Sequence, residues 1–209
     1  MASCRPVALA FAALGISLAI TCSSEPAVRL APLARDARIL AFGDSLTHGY
    51  GADAGKSYPA QLARLLGRPV VESGVNGETS EQGLARLPHE LDREAPALLL
   101  LCLGGNDFLR RLDEARTEEN LARMIEIAQE RGVAVVLIAV PRLDLLASLR
   151  GAELYARLAQ RYGVPLERDV LASVLSQREL LSDRIHPNAK GYARIAEAIL
   201  NLLRGAGAV

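Results

Sequence analysis

Three polar side chains in this sequence are spaced as a proton relay would need them. Ser45 sits in Gly43-Asp44-Ser45-Leu46, directly behind an apolar run. Asp183 and His186 lie three residues apart near the C-terminus, in Asp183-Arg184-Ile185-His186-Pro187-Asn188. A serine hydroxyl is a weak nucleophile until a base takes its proton, and imidazole is the side chain class that titrates near neutrality. A carboxylate three residues before the imidazole can hold one ring nitrogen within a single turn of backbone. That bond fixes the tautomer and leaves the other nitrogen for Ser45. Pro187 restricts His186 and breaks the chain ahead of the last helical segment. Each part has a plainer use: Ser45 alone could cap a helix, and Asp-x-x-His alone could close a turn. Their combination points to nucleophilic acyl transfer.

Acyl transfer also needs donors for a tetrahedral oxyanion. Gly77 can bring a backbone N–H close to a ligand, and Asn106, in Gly104-Gly105-Asn106-Asp107, offers a side-chain amide. Turn chemistry alone would explain either residue singly. The other histidines read as surface: His48 stands three residues past Ser45 in a loop, with Asp53 the nearest following carboxylate, and His89 stands in Leu87-Pro88-His89-Glu90. Cys102, inside Leu98-Leu99-Leu100-Leu101-Cys102-Leu103, reads as a small buried hydrophobe. No metal-ligand cluster and no cofactor motif is visible.

The elements that must position these residues alternate. Apolar strands are expected over 38–42, 69–73, 97–103 and 133–140, with a brief edge strand at 164–166. Helical patterns lie between them: 58–66 ended by Gly67, a helix capped by Thr79 or Ser80 that runs towards Arg86 and could continue past Pro88 to Glu94, one opened by Thr117 and ended by Gly132, 153–162, and an amphipathic helix over 188–204. Continuous apolar strands alternating with helices imply a parallel sheet covered on both faces. Ligands of such sheets bind outside the carboxyl ends of the strands. That rule gathers 43–45, 74–77 and 104–106 into one crevice.

The acid and the base share one loop, and Ser45 is followed by Leu46 and Thr47 with glycine only at Gly49. An α/β-hydrolase would show Gly-x-Ser-x-Gly and an acid well ahead of its histidine. The four blocks instead resemble those of the SGNH (GDSL) hydrolases, in order and rough spacing, over nearly the whole chain from Arg38. The stretch from Gly77 to Leu87 is similar to the acyl-CoA thioesterase/lysophospholipase/arylesterase branch. The resemblance implies an α/β/α three-layer sandwich of flavodoxin type with a central parallel sheet of about five strands. It implies Ser45 as nucleophile, Asp183 and His186 as its partners, and an oxyanion hole made by the Ser45 N–H, the Gly77 N–H and the Asn106 side chain. A small-molecule acyl ester or thioester is the expected substrate, a carbohydrate O-acetyl ester the alternative, and a non-catalytic binding lipoprotein the remaining one. Asp44, Leu143, Leu145 and Leu146 are the candidate substrate contacts; the 141–151 stretch departs from the branch. Relatives often carry Asn where Glu72 stands.

Composition sets the frame. The chain has 209 residues, 50% hydrophobic and 23% charged, enough for one domain with a sizeable core. Its 24 basic and 24 acidic residues balance, which argues against a nucleic-acid partner. Arg5 followed by the apolar stretch Val7 to Ile20 reads as a signal peptide rather than a membrane span. Residues 1–22 are therefore assigned to export, 23–36 to a linker and 37–209 to the hydrolase domain. Cys22 follows Ala19-Ile20-Thr21, an imperfect lipobox, and is the candidate lipidation site; Cys4 would be lost on processing. The expected product is an exported monomer in the periplasm or cell envelope, touching the membrane only through a lipid on Cys22.

Overall fold

β-Branched and leucine-rich runs collapse into a central sheet, two strands of which lie wholly out of water. The computed structural model describes residues 28–142 and 153–209. Its sheet has five parallel strands in the order β2-β1-β3-β4-β5: β1 Ile39–Gly43, β2 Val70–Gly74, β3 Leu98–Cys102, β4 Ala134–Ile138 and β5 Leu166–Glu167. Every residue of β1 and β3 is buried, as expected of strands covered on both faces. The chain moves outward from β1 to β2, then crosses back to β3 on the other side of β1. This reversal places the topological switch point at the carboxyl ends of β1 and β3.

The helices are α1 Ser45–His48, α2 Tyr58–Leu66, α3 Ser80–Glu94, α4 Gly105–Leu109, α5 Glu114–Glu130, α6 Glu153–Tyr162, α7 Val170–Leu175 and α8 Ala189–Gly205, with a 3₁₀ turn at Arg178–Leu180. Helix α2 packs on α8, and α3 packs on α5, giving the outer layers of the sandwich. The apolar stripe of α8 (Tyr192, Ile195, Ile199 and Leu203) is buried, and Asn188 caps the helix by accepting from the Lys190 and Gly191 N–H groups at 2.9 and 3.1 Å.

The expected parallel α/β sandwich is the one observed, with strand positions within a residue or two of those anticipated. Thr79 is the cap of α3, in a reciprocal capping box with Gln82, and the helix does carry Pro88 in its interior. The start of α5 differs from expectation. Asp113, not Thr117, caps it, and its carboxylate accepts from the Ala115 N–H at 2.9 Å. Thr117 is instead buried in the first turns, its hydroxyl donating to the Asp113 carbonyl at 3.0 Å. Helices α4 and α7 and the 3₁₀ turn were not anticipated. Within the expected linker, the Leu30 and Leu33 N–H groups donate to the Ala206 and Ala208 carbonyls at 2.9 Å each, and both leucines pack against the core.

Candidate active site

Ser45 is the first residue of α1, two residues beyond the end of β1. The turn is tight: a Cβ on Gly43 would stand 2.0 Å from the Cys102 carbonyl oxygen, so only glycine lets β1 approach β3 this closely. Asp44 caps α1, accepting from the Leu46 N–H at 3.0 Å. The opening turn leaves the Ser45 N–H unspent, since the first N–H groups of a helix have no intrahelical acceptor.

His186 reaches Ser45 from the loop ahead of α8. Its Nε2 lies 3.1 Å from Ser45 Oγ, and its Nδ1 lies 2.7 Å from Asp183 Oδ2. The other oxygen of Asp183 accepts from the Ile185 and His186 N–H groups, both at 2.8 Å, so the carboxylate is held by the loop it organises. Partial burial pushes the Asp183 pKa upward, but the bonds from Ile185 and His186 outweigh it and hold the carboxyl below its usual range. Asp183 therefore stays an acceptor, which keeps a proton on Nδ1 and frees Nε2 for the serine. The Tyr50 ring packs on the His186 imidazole with centroids 4.5 Å apart, and the Tyr50 carbonyl accepts from the Tyr192 hydroxyl at 2.8 Å. Tyr50 was not singled out in the sequence, where nothing marks a tyrosine five residues past a serine.

Gly77 and Asn106 arrive from the ends of β2 and β3. Gly77 has φ +77, the left-handed region that disfavours side chains, and its carbonyl accepts from Arg110 Nη2 at 2.7 Å. Among the described residues neither the Ser45 nor the Gly77 N–H donates a hydrogen bond. Asn106, on the first turn of α4, donates from Nδ2 to the Glu78 carbonyl at 3.0 Å and to Asp44 Oδ2 at 3.2 Å. Both amide hydrogens are engaged, so a third acceptor entering the site would compete with the longer bond, that to Asp44. Next to it, Asp107 is buried and accepts from the Ser80 N–H at 2.8 Å and the Ser80 hydroxyl at 2.6 Å, which ties α4 to the start of α3.

Ser45, Gly77, Asn106 and His186 border a cleft of about 650 Å³. Phe108, Leu109, Leu112, Val140, Leu46 and Tyr50 give it an apolar wall, and Arg111, Arg142 and Glu114 add charge. Asp44 borders the cleft too, but its carboxyl is engaged with Leu46 and Asn106. Burial lifts its pKa, the Leu46 N–H opposes that, and Glu78 and Asp107 add to the rise, leaving it at about 7. Leu143, Leu145, Leu146 and Cys22 lie outside the described residues.

The remaining sequence candidates fall into place around this centre. His48 ends α1, half exposed and 3.4 Å from Glu72 Oε1, which also accepts from the Gly74 N–H at 3.0 Å. His89 is exposed on α3. Cys102 is buried, and burial pushes its thiol well up, which suits a packing role rather than a reactive one. Among the described residues no group of three or more His, Cys, Asp or Glu side chains could hold a metal.

The model of the GDSL-like lipase/acylhydrolase family matches residues 41–194. Thioesterase 1/protease 1/lysophospholipase L1 of Escherichia coli strain K12 is 42% identical over 81 residues, which cover 38% of this chain and 39% of that protein. An arylesterase of Vibrio mimicus is 42% identical over 78 residues, 35% of this chain and 39% of its own length. The matched stretch thus spans well under half of these curated relatives. A solved structure of TesA superposes with a TM-score of 0.74 at 30% identity, covering 81% of this chain and 99% of the other. With Ser45, Gly77, Asn106 and His186 meeting at one sheet edge and the family model spanning most of the sequence, the chain belongs to the GDSL-like lipase/acylhydrolase family.

Proposed function

We propose that this chain is a serine hydrolase that cleaves carboxylic esters or thioesters through an acyl-enzyme on Ser45. The observation that carries the reading is the imidazole of His186, bonded to Asp183 at 2.7 Å and Ser45 at 3.1 Å beside two backbone N–H groups with no acceptor among the described residues. Nε2 of His186 takes the hydroxyl proton as Ser45 Oγ bonds to the acyl carbon. The carbonyl π pair moves to oxygen, and the oxyanion is received by the Ser45 and Gly77 N–H groups and by Asn106. As the tetrahedral centre collapses, the C–O or C–S bond breaks and His186 returns its proton to the departing alcohol or thiol. Water then repeats the sequence: His186 takes its proton, hydroxide adds, and Ser45 leaves with the proton restored. Asp183, anchored by its own loop, balances the imidazolium at each step.

The apolar wall of Phe108, Leu109 and Leu112 supports an acyl chain as the group held in the cleft. The names of the relatives, a thioesterase/lysophospholipase and an arylesterase, fit the same substrate range. We assign residues 1–22 to an export signal and 37–209 to the hydrolase domain. Among the described residues no helix is long and apolar enough to cross a membrane. Our reading assigns membrane attachment to a lipid on Cys22.

A substrate panel on the purified mature protein tests the reading. Medium-chain aryl esters and acyl thioesters are expected to turn over well ahead of acetylated sugars. Ser45→Ala is expected to lose ~10⁴–10⁶ in kcat while unfolding at the wild-type temperature. Wild-type turnover by that variant sinks the mechanism, and preference for acetylated sugars replaces the substrate class.

A further inference from the structure

We propose that the Glu78–Arg86 pair is a positioning device for the two oxyanion donors remote from Ser45, so that Arg86 controls turnover without touching the substrate. The proposal rests on the acyl-transfer reading above. Glu78 follows Gly77 directly, and the Glu78 carbonyl accepts from Asn106 Nδ2 at 3.0 Å. One residue therefore joins the backbone that carries the Gly77 N–H to the amide of Asn106. Whatever fixes Glu78 fixes both donors.

The Glu78 side chain is 5% exposed, and Arg86, two turns along α3, meets it as a fork. Nε donates to Oε1 at 2.8 Å and Nη2 to Oε2 at 2.7 Å. A bidentate guanidinium–carboxylate pair restricts rotation as well as distance. The guanidinium is itself immobilised. It donates to the Ser73 hydroxyl at 2.5 Å and the Ser73 carbonyl at 3.2 Å, and its Cζ lies 4.1 Å from the centroid of the Phe42 ring. Ser73 is on β2, and Phe42 is on β1, three residues before Ser45. Arg86 thus references the Gly77–Glu78 turn to the two strands that frame the nucleophile. Neither Glu78 nor Arg86 borders the cleft. A largely buried ion pair contributes little net stability over an apolar pair of the same volume, so orientation is the property this one supplies.

The test compares kcat, KM and inhibitor affinity in Arg86→Ala, Arg86→Lys and the charge-free double variant Glu78→Leu/Arg86→Met, with Ser45→Ala and Arg123→Ala alongside. Arg86→Ala is expected to lower kcat about 100-fold and move KM by less than about threefold. Affinity for an acyl trifluoromethyl ketone, which places an oxyanion in the site, falls with kcat, whereas affinity for the carboxylic acid product does not. Guanidinium added in solution restores part of the loss, and Arg86→Lys, which keeps the charge but not the fork, loses about 10-fold. Arg123, which pairs with Glu126 and Glu130 along α5 away from this network, is a control whose removal leaves kcat unchanged. If Arg86→Ala unfolds because Glu78 is left unpaired, the double variant carries the same expectation. A folded variant with wild-type kcat overturns the proposal, as does a kcat loss matched by equal loss of ground-state binding. Collapse of the charge-free variant overturns it too, since the pair is then a requirement of the fold. Turnover retained by Ser45→Ala instead brings down the acyl-transfer reading itself; an inactive Ser45→Ala beside fully active Arg86 variants removes this proposal alone.

Discussion

Asparagine in place of Asp44 removes a titration that the fold makes unfavourable. Asp44 is 2% exposed, and burial raises its pKa, against the bond from the Leu46 N–H and with help from Glu78 and Asp107, to about 7. In the unfolded chain the same carboxyl ionises near ~3.9. Between those two values the folded protein holds a proton that the unfolded chain has released. Stability therefore falls as pH rises through this window, the sign expected of a raised carboxyl pKa. A gap of about 3 units at 1.36 kcal/mol each makes the loss about 4 kcal/mol once pH 8 is reached. Asparagine cannot ionise, so Asp44→Asn gains about 4 kcal/mol on the wild type between pH 4 and pH 8. A constant offset of ~1 kcal/mol for the weakened contact with Asn106 is superimposed at every pH. Urea unfolding of both proteins at the two pH values measures the difference, and titrations elsewhere cancel in the comparison. Parallel stability curves for wild type and variant refute the reasoning.

Two other changes probe the same centre. Asp183→Asn exchanges the acceptor that keeps the proton on His186 Nδ1, and kcat is expected to fall about 10⁴-fold with the fold intact, measured with a chromogenic ester. Because the Asp183 pKa is lowered, its contribution to stability is present above the unfolded value near ~3.9 and is lost as pH falls through the folded one; the wild type but not the variant should show that acid-side decline in melting temperature. Gly43→Ala would put a Cβ 2.0 Å from the Cys102 carbonyl oxygen, forcing β1 and β3 apart where Ser45 is seated. A loss of about 3 kcal/mol or more is expected in denaturant unfolding.

The hydrogen-bonded arrangement of Ser45, His186 and Asp183 was legible because each of its parts has a local signature. Ser45 follows an apolar strand, Asp183 and His186 share one turn, and the parallel-sheet rule brings them to one edge. The strands could be read for a similar reason: Leu98 to Cys102 admits little other than a buried strand, and it is buried along its length. What escaped depends on contacts between distant segments. The seat of Arg86 on Ser73 and Phe42, that of Asp107 on Ser80, and the tilted packing of Tyr50 on His186 appear only when β1, β2, α3, α4 and the loop before α8 are assembled. Asp113 was overlooked as a cap because the turn it opens, Glu114-Ala115-Arg116, is polar and carries no apolar stripe to announce a helix. Short helices such as α4 and α7 have too few residues for periodicity to declare itself.

The central claim is that Ser45 is the nucleophile and His186 its base. Reaction of the folded protein with an alkyl fluorophosphonate, followed by peptide mass mapping, tests it most directly. The account predicts one phosphonyl group per chain, on Ser45, with loss of fluoride, and labelling that slows by orders of magnitude in His186→Ala. A protein that hydrolyses esters yet takes the label on another residue, or reacts at Ser45 as fast without His186 as with it, would contradict the account.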